Sequence, residues 1–190
     1  MKINLFQNYY SDANPSRQNE IDECMAKNQA LCSLGLDFHF HKIDERKTFN
    51  EYFDIISEYP NDINIIANSD EKIDDPKLCL ALCRWEITDY GSARFIYRED
   101  SQDVWIFNGA VPKIEGADFF AGGVAGCDNK IAHLLFENGY RLESPSFDIR
   151  TYHLHLSGVR NYVSNGVVTE RLDPPYKTLE LVYFANLIGE

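Results

Sequence analysis

The first seventy residues alternate between strand-like and helix-like patterns, and this alternation restricts the fold more than any other feature of the sequence. We predict strands over Lys2–Tyr10, Leu36–Ile43 and Ile63–Ala67, which are rich in β-branched and aromatic residues. Between them, apolar residues recur at helical spacing over Arg17–Leu34 and Thr48–Ser57. Strands that alternate with helices favour an α/β fold with a mostly parallel central sheet flanked by helices.

The second half of the chain has a less regular pattern. A short helix is predicted from Asp75 to about Leu82, and a longer one begins at Asp128 and stops at Gly139. Four other segments are predicted to be strands: Arg84–Ile87, Arg94–Tyr97, Asp103–Phe107 and Thr151–Leu156.

Length and composition predict one domain over residues 1–190, with a core over about 1–162 and a C-terminal tail over 163–190. The chain has 44% hydrophobic and 13% aromatic residues, enough for a sizeable core. No apolar run reaches the roughly 18–20 residues that cross a bilayer, and the N-terminus does not read as a signal peptide. We therefore expect a cytoplasmic protein without a membrane span.

Charge and cysteine usage exclude some classes of function. The formal net charge of −12 argues against nucleic acid as a partner, because such binding depends on Lys and Arg neutralising phosphates. A small anionic ligand held by a few placed cations is still compatible with this charge. The five cysteines form no CxxC pair, so neither a zinc ribbon nor thioredoxin chemistry is indicated. We expect most of them to be buried apolar residues in a reducing compartment.

Polar residues follow the third predicted strand directly, at Asn68, Ser69 and Asp70. Ligands of parallel α/β sheets bind at the carboxyl ends of the strands, so these residues and the stretch Asn8-Tyr9-Tyr10 are expected at one binding edge. A carboxylate beside amide or hydroxyl oxygens suits Mg²⁺ or Mn²⁺. The alternative is a surface turn that closes a core strand.

Asp128 lies where a glycine-rich loop enters a helix. One interpretation is an N-cap, a position that Asp often occupies. The other is a general base that takes a proton from an attacking hydroxyl.

Two His-x-His pairs, His39/His41 and His153/His155, place their imidazoles on one face of a strand. They predict either a zinc or iron site or two solvated strand faces. Asp103 precedes a strand and is predicted to bind a sugar hydroxyl or to cap a turn. The candidates for binding a phosphate are Arg17, Arg84, Arg94, Arg98, Lys130, Arg150 and Arg160.

The order of these motifs carries a resemblance to a known family. In turn come QNYY, NPSRQNEIDEC, INIIANSDEKIDD, SQDVWIF, GGVAGCDNKIAHLLFENGY and SPSFDIRTYHLHLSGVRNY. Over roughly residues 1 to 162, this succession resembles small GT-A-type glycosyltransferase domains, including those of chlorella-virus capsid glycosyltransferases. The resemblance implies transfer of a sugar from a nucleotide-diphosphate sugar, with UDP favoured, to a glycan acceptor.

The resemblance also implies roles for individual residues. Asn8, Tyr9 and Arg17 match the positions that contact the nucleobase, and Asn68-Ser69-Asp70 takes the place of the Asp-x-Asp motif that holds metal and diphosphate. Because Asn68 replaces the first acid of that motif, the cofactor is either Mn²⁺ or Mg²⁺ or none.

The resemblance further places Asp128 as the base of an inverting transfer, and His153 or His155 near the diphosphate. The metal ligands would be Asp70 and His155. Asp103, Arg150 and Arg160 complete the predicted nucleotide-sugar site. The alternatives are a non-catalytic nucleotide-sugar or glycan-binding module, or a small metallohydrolase built on the histidines.

Overall fold

A computed structural model describes residues 2–33, 37–45, 47–66, 77–89, 92–121, 123–156, 163–164, 167–168 and 170–183. The predicted site residues Asn68, Ser69, Asp70 and Arg160 lie outside this part of the chain. Within it, no helix is both long enough and apolar enough to cross a membrane.

The first part of the chain alternates between strands and helices, as predicted. Its elements are β1 (Ile3–Asn8), α1 (Pro15–Ala30), a 3₁₀ turn (Leu31–Ser33), β2 (Phe38–Ile43), α2 (Phe49–Ile56) and β3 (Ile63–Ile66). The remaining elements are β4 (Leu78–Leu82), β5 (Arg84–Asp89), β6 (Ser92–Phe95), β7 (Val104–Asn108), α3 (Cys127–Glu137), β8 (Arg141–Glu143), β9 (Thr151–His153), β10 (Val163–Ser164) and β11 (Val167–Val168).

The helix predicted from Asp75 to about Leu82 is wrong, because Leu78–Leu82 is strand β4. All five of its residues are buried between strand neighbours on both sides. A strand that is buried on both faces has a continuous apolar sequence, and periodicity does not distinguish such a run from a buried helix.

The fold is α/β, with a central sheet in the order β2-β1-β3-β7-β4-β8. The sheet is mixed rather than mostly parallel, since β7 runs antiparallel to both β3 and β4. The chain passes from β4 to β7 through strands β5 and β6 without a helix, and an antiparallel return needs no helical crossover. A second sheet, in the order β6-β5-β9, continues directly from β4.

Alternate residues of the strands fill two apolar cores, one on each face of the central sheet. Phe6 contributes to the core that also contains α2 and α3 residues such as Phe53 and Leu135. Leu5 contributes to the core on the other face. Burial of the first face fixes α2 and α3 against the sheet and so fixes where the first turn of α3 lies.

Helix α2 begins at a reciprocal capping box. Thr48 Oγ1 accepts a hydrogen bond from the Glu51 backbone N–H (3.2 Å), and Glu51 Oε2 accepts one from the Thr48 backbone N–H (2.7 Å). The box satisfies two backbone donors that the helix cannot pair internally.

A ladder of polar side chains crosses one edge of the central sheet. Asn64 is completely buried, accepts a hydrogen bond from Asn4 Nδ2 (3.1 Å) and donates to the backbone oxygen of Gly109 (3.2 Å). Asn4 Oδ1 lies 3.2 Å from His41 Nε2, and the His41 ring stacks on Phe6 with centroids 4.5 Å apart. His41 is therefore a structural histidine, which explains why β2 alternates between apolar and polar residues.

Burial lowers the pKa of His41 below its ordinary value of 6.5. The folded protein then binds this proton less readily than the unfolded chain, so stability is lost as the pH falls below about 6.5. We expect the unfolding free energy of His41→Gln, measured by urea denaturation, to fall less between pH 7 and pH 5 than that of the wild type, because glutamine takes up no proton in either state. Equal slopes for His41→Gln and the wild type over this pH range would contradict the prediction.

Candidate functional site

A cavity of about 460 Å³ lies at the carboxyl ends of β1 and β3. Gln7 and Tyr10 enter it from the end of β1, Ile66 from the end of β3, and Trp105 from the neighbouring start of β7. The first residues of α3 and the preceding glycine-containing loop also line it. The site therefore lies at the sheet edge that the topology of the sequence predicted.

Asp128 lines this cavity as the second residue of α3, whose N-cap is Gly126. Gly126 has a left-handed backbone (φ 83°), and a Cβ atom there would lie 3.0 Å from the hydroxyl of Tyr176. Glycine is required on both grounds. The interpretation of Asp128 as the N-cap is thus wrong, and its carboxyl group is available to the cavity.

Burial and the negative charge of Asp103 raise the pKa of Asp128 to about 7. Three weaker effects oppose them: a hydrogen bond from Cys127 Sγ (3.3 Å), one from Ser101 Oγ (3.4 Å), and the positive charge of Arg84. Burial dominates although part of the residue stays accessible. Asp128 therefore exchanges its proton close to neutral pH.

Arg84 organises the charges around Asp128. Its Nη1 donates to both carboxylate oxygens of Asp103 (2.9 and 3.1 Å), and its Nε donates to Glu86 Oε1 (2.6 Å). Burial alone would lower the pKa of Arg84, but these carboxylates outweigh it and raise the pKa. Burial would likewise raise the pKa of Glu86, but hydrogen bonds with His153 and Arg84 lower it. Both groups are held charged.

The second histidine pair reaches the cavity, whereas the first belongs to the sheet edge. His153 Nδ1 lies 2.9 Å from Glu86 Oε2, and the rings of His153 and His155 meet edge-on with centroids 5.1 Å apart. Both line the cavity. The first pair lies on β2 of the central sheet, whereas the second lies at the end of β9 in the other sheet, and only the second lines the cavity.

The predicted metal site lies only partly in the described part of the chain. No group of three His, Cys, Asp or Glu side chains is placed there to hold a metal ion. His153 and Asp103 are engaged with Glu86 and Arg84. The predicted ligand Asp70 lies outside the described residues, so the metal site stays a prediction.

Of the stretch Asn8-Tyr9-Tyr10 that was predicted at the binding edge, Tyr10 lines the cavity and Tyr9 does not. The backbone N–H of Tyr9 bonds to Ile43 O (2.7 Å), its hydroxyl donates to Asp22, and the ammonium group of Lys42 lies over its ring. Gln7 and Tyr10 line the cavity instead. Asn8 is the last residue of β1, and its side chain is outside the described part.

Of the two predicted arginines Arg17 and Arg150, only Arg17 lines the cavity. Arg17 lines the cavity from α1 and is held by Glu20 Oε2 (2.9 Å) and the backbone oxygen of Leu154 (3.3 Å). Arg150 stacks on the ring of Trp85 (4.5 Å) and does not line the cavity.

Two smaller chambers adjoin the cavity on different sides. One of about 180 Å³ shares Arg17, His153 and Tyr10 with it and extends between α1 and β9. The other, of about 170 Å³, shares Arg98 and Ser101. Asp128 lines neither chamber.

Several cavity residues were missed by sequence reasoning, namely Gln7, Ser101, Cys127 and Arg171. Glu86 was missed as well; its carboxylate contacts His153 Nδ1, but it does not itself line the cavity. Glu86 and His153 are directly paired in the parallel register of β5 and β9, which only the strand pairing reveals. Arg171 lies in the segment 163–190, which was predicted to be a C-terminal tail.

Because the pKa of Asp128 is raised, burying this carboxyl group should lower the free energy of unfolding more as the pH rises. The folded protein holds this proton up to about pH 7, whereas the unfolded chain releases it near pH 4, so stability falls as the pH rises from 4 to 7. We expect Asp128→Asn to gain about 1–3 kcal/mol of unfolding free energy over the wild type at pH 8 and little at pH 4. Asp54→Asn removes an exposed carboxylate paired with Lys113 and should show no such trend. A constant difference between Asp128→Asn and the wild type would refute the prediction.

Comparison with protein-family models, with curated proteins and with solved structures gave no match to this chain. The functional argument therefore depends on the residues of the cavity. The resemblance to GT-A glycosyltransferases stays a prediction.

Proposed function

We propose that this chain is a glycosyltransferase that moves a sugar from a nucleotide-diphosphate sugar, with UDP as the favoured nucleotide, to a hydroxyl of a glycan. The observation that carries the proposal is Asp128, a carboxyl group at a helix start whose pKa of about 7 suits proton transfer at neutral pH. It faces a cavity at the carboxyl ends of the parallel strands. GT-A-type motif order supports the same assignment.

In the proposed reaction, Asp128 accepts the proton of the acceptor hydroxyl. The acceptor oxygen forms a bond to the anomeric carbon, and the bond from that carbon to the diphosphate oxygen breaks, its electron pair leaving with the nucleoside diphosphate. One displacement without a covalent intermediate inverts the anomeric centre. Ser101 and Cys127 hold the two carboxylate oxygens of Asp128 in place before the acceptor binds.

The negative charge that develops on the leaving diphosphate needs nearby cations or hydrogen-bond donors. Arg17, His153 and His155 line the cavity on elements other than α3, and they are the groups we assign to this role. The positions of Arg17 and His153 are set in advance, since Glu20 holds Arg17 and Glu86 holds His153. Mn²⁺ or Mg²⁺ held by Asp70 would supply the same stabilisation when bound.

A non-catalytic module that binds a nucleotide sugar is the second candidate, because the same cavity and cations would serve binding alone. The two are separated by turnover. Incubating the protein with a panel of nucleotide sugars, with and without Mn²⁺, and following slow hydrolysis distinguishes a transferase from a binding module.

Asp128→Asn tests the base directly. We expect transfer or hydrolysis to fall by at least about 10²-fold because the amide accepts no proton, while UDP affinity measured by calorimetry changes little. Asp54→Asn should keep full activity. Retained turnover in Asp128→Asn would remove Asp128 from the mechanism.

Asp103→Asn tests whether the negative charge of Asp103 contributes to the raised pKa of Asp128. The negative charge of Asp103 raises the pKa of Asp128, so removing that charge should lower it. We expect the acid limb of the kcat/KM profile, where activity rises with pH, to move to lower pH in Asp103→Asn. A profile that stays in place, or that moves to higher pH, would show that the limb does not report Asp128.

A further inference from the structure

The segment 170–183 forms a strap across the start of α3, and we call it the C-terminal strap. Its backbone bonds to both sides of Asp128: Leu172 N–H donates to Ala125 O (3.0 Å), and Lys177 N–H donates to Asn129 O (3.0 Å). Leu179 is 4% exposed and packs into the core. The strap is therefore an integral wall of the site.

The strap brings Arg171 to the cavity. Arg171 forms a bridge pair with Ala125, three residues before Asp128, and its side chain is exposed at the mouth while also lining the cavity. Tyr176 packs against Gly126, where a Cβ atom would lie 3.0 Å from the Tyr176 hydroxyl. This close contact sets the position of the strap relative to α3.

Four arginines line the cavity, and they differ in their partners. Arg17 pairs with Glu20, Arg84 with Glu86 and Asp103, and Arg98 with Asp100 at 2.9 Å. In the described part of the chain, Arg171 has no carboxylate within ion-pair distance. In a chain with a net charge of −12, a cation held at a cavity mouth without a carboxylate partner is suited to an anionic ligand.

Arg171 lies on the side of the cavity that belongs to Asp128. Hydrogen bonds from Arg98 lower the pKa of Asp100, and the positive charge of Arg171 adds to this effect; all three residues line the cavity. Arg17 and His153 line the chamber between α1 and β9, and Arg171 does not. The base must touch the acceptor hydroxyl, whereas the leaving diphosphate is assigned to the Arg17 and His153 side.

We propose that Arg171 binds an anionic group of the acceptor, so that the acceptor glycan carries a carboxylate or phosphate close to the hydroxyl that receives the sugar. This inference rests on the proposed function, since it takes the side of Asp128 to be the acceptor side. Arg suits either anion, because its planar guanidinium matches the oxygens of both.

The test compares three acceptor analogues: methyl β-glucoside, methyl β-glucuronide and methyl β-glucoside 6-phosphate. Their affinities are measured by NMR titration in the presence of UDP. We expect the wild type to bind at least one anionic analogue about threefold to tenfold more tightly than the neutral one. Which of the two is preferred distinguishes a uronic acid from a phosphorylated glycan.

Arg171→Ala should abolish this preference and leave UDP affinity unchanged. The matched control is Lys177→Ala, which removes one positive charge from the same strap; the Lys177 ammonium lies over the Phe136 ring, and the residue does not line the cavity. The control should keep the preference.

Three results would overturn the inference: a preference that persists in Arg171→Ala, a loss of UDP affinity in that variant with the sugar preference intact, or no binding of any analogue to the wild type. The measurement needs no turnover. The role of Arg171 can therefore be overturned while transfer that depends on Asp128 stands. Inactivity towards nucleotide sugars would instead count against the proposed function.

Discussion

The ion pairs of Arg84 connect the parts of this structure on which the site depends. Arg84 lies where the chain leaves the central sheet after β4 and enters the second sheet as β5. Its guanidinium joins Asp103, just before β7, to Glu86, which in turn holds His153 on β9. The Arg84 side chain is only 14% exposed, and loss of one partner in such a network leaves an uncompensated charge in a poorly solvated place. The two sheets and the cavity are thus electrostatically interdependent.

The same network explains how a strongly acidic protein offers a site for anions. The net charge of −12 belongs to the whole surface, while the cavity gathers Arg17, Arg84, Arg98 and Arg171 from separate elements. Three of these arginines are held in place by carboxylates. Local placement rather than total charge therefore decides what the cavity attracts. Asp128 stands among these cations and still exchanges its proton near pH 7, because burial and Asp103 outweigh Arg84.

Much of the fold could be predicted from the sequence, and the errors have physical causes. The alternation of the first seventy residues and the start of α3 near Asp128 were confirmed. Strand β4 was assigned as a helix because five consecutive buried apolar residues have no diagnostic period. The reversed direction of β7 was missed for a related reason, since strand direction is set by the connections and not by the strand's own residues.

The residues of the candidate site likewise divide into those that the sequence indicated and those that only the tertiary structure revealed. The sequence by itself determined the α/β class and indicated the sheet edge at which the cavity lies. It also singled out Asp128, Asp103, Arg17, His153 and His155, which line that cavity, because their types and local positions carry the signal. Only the tertiary structure decided that Glu86 supports His153, that Tyr10 rather than Tyr9 lines the cavity, and that Arg171 reaches the cavity from a segment 43 residues beyond Asp128. Those contacts join residues that are distant in the chain, and strand register and packing bring them together.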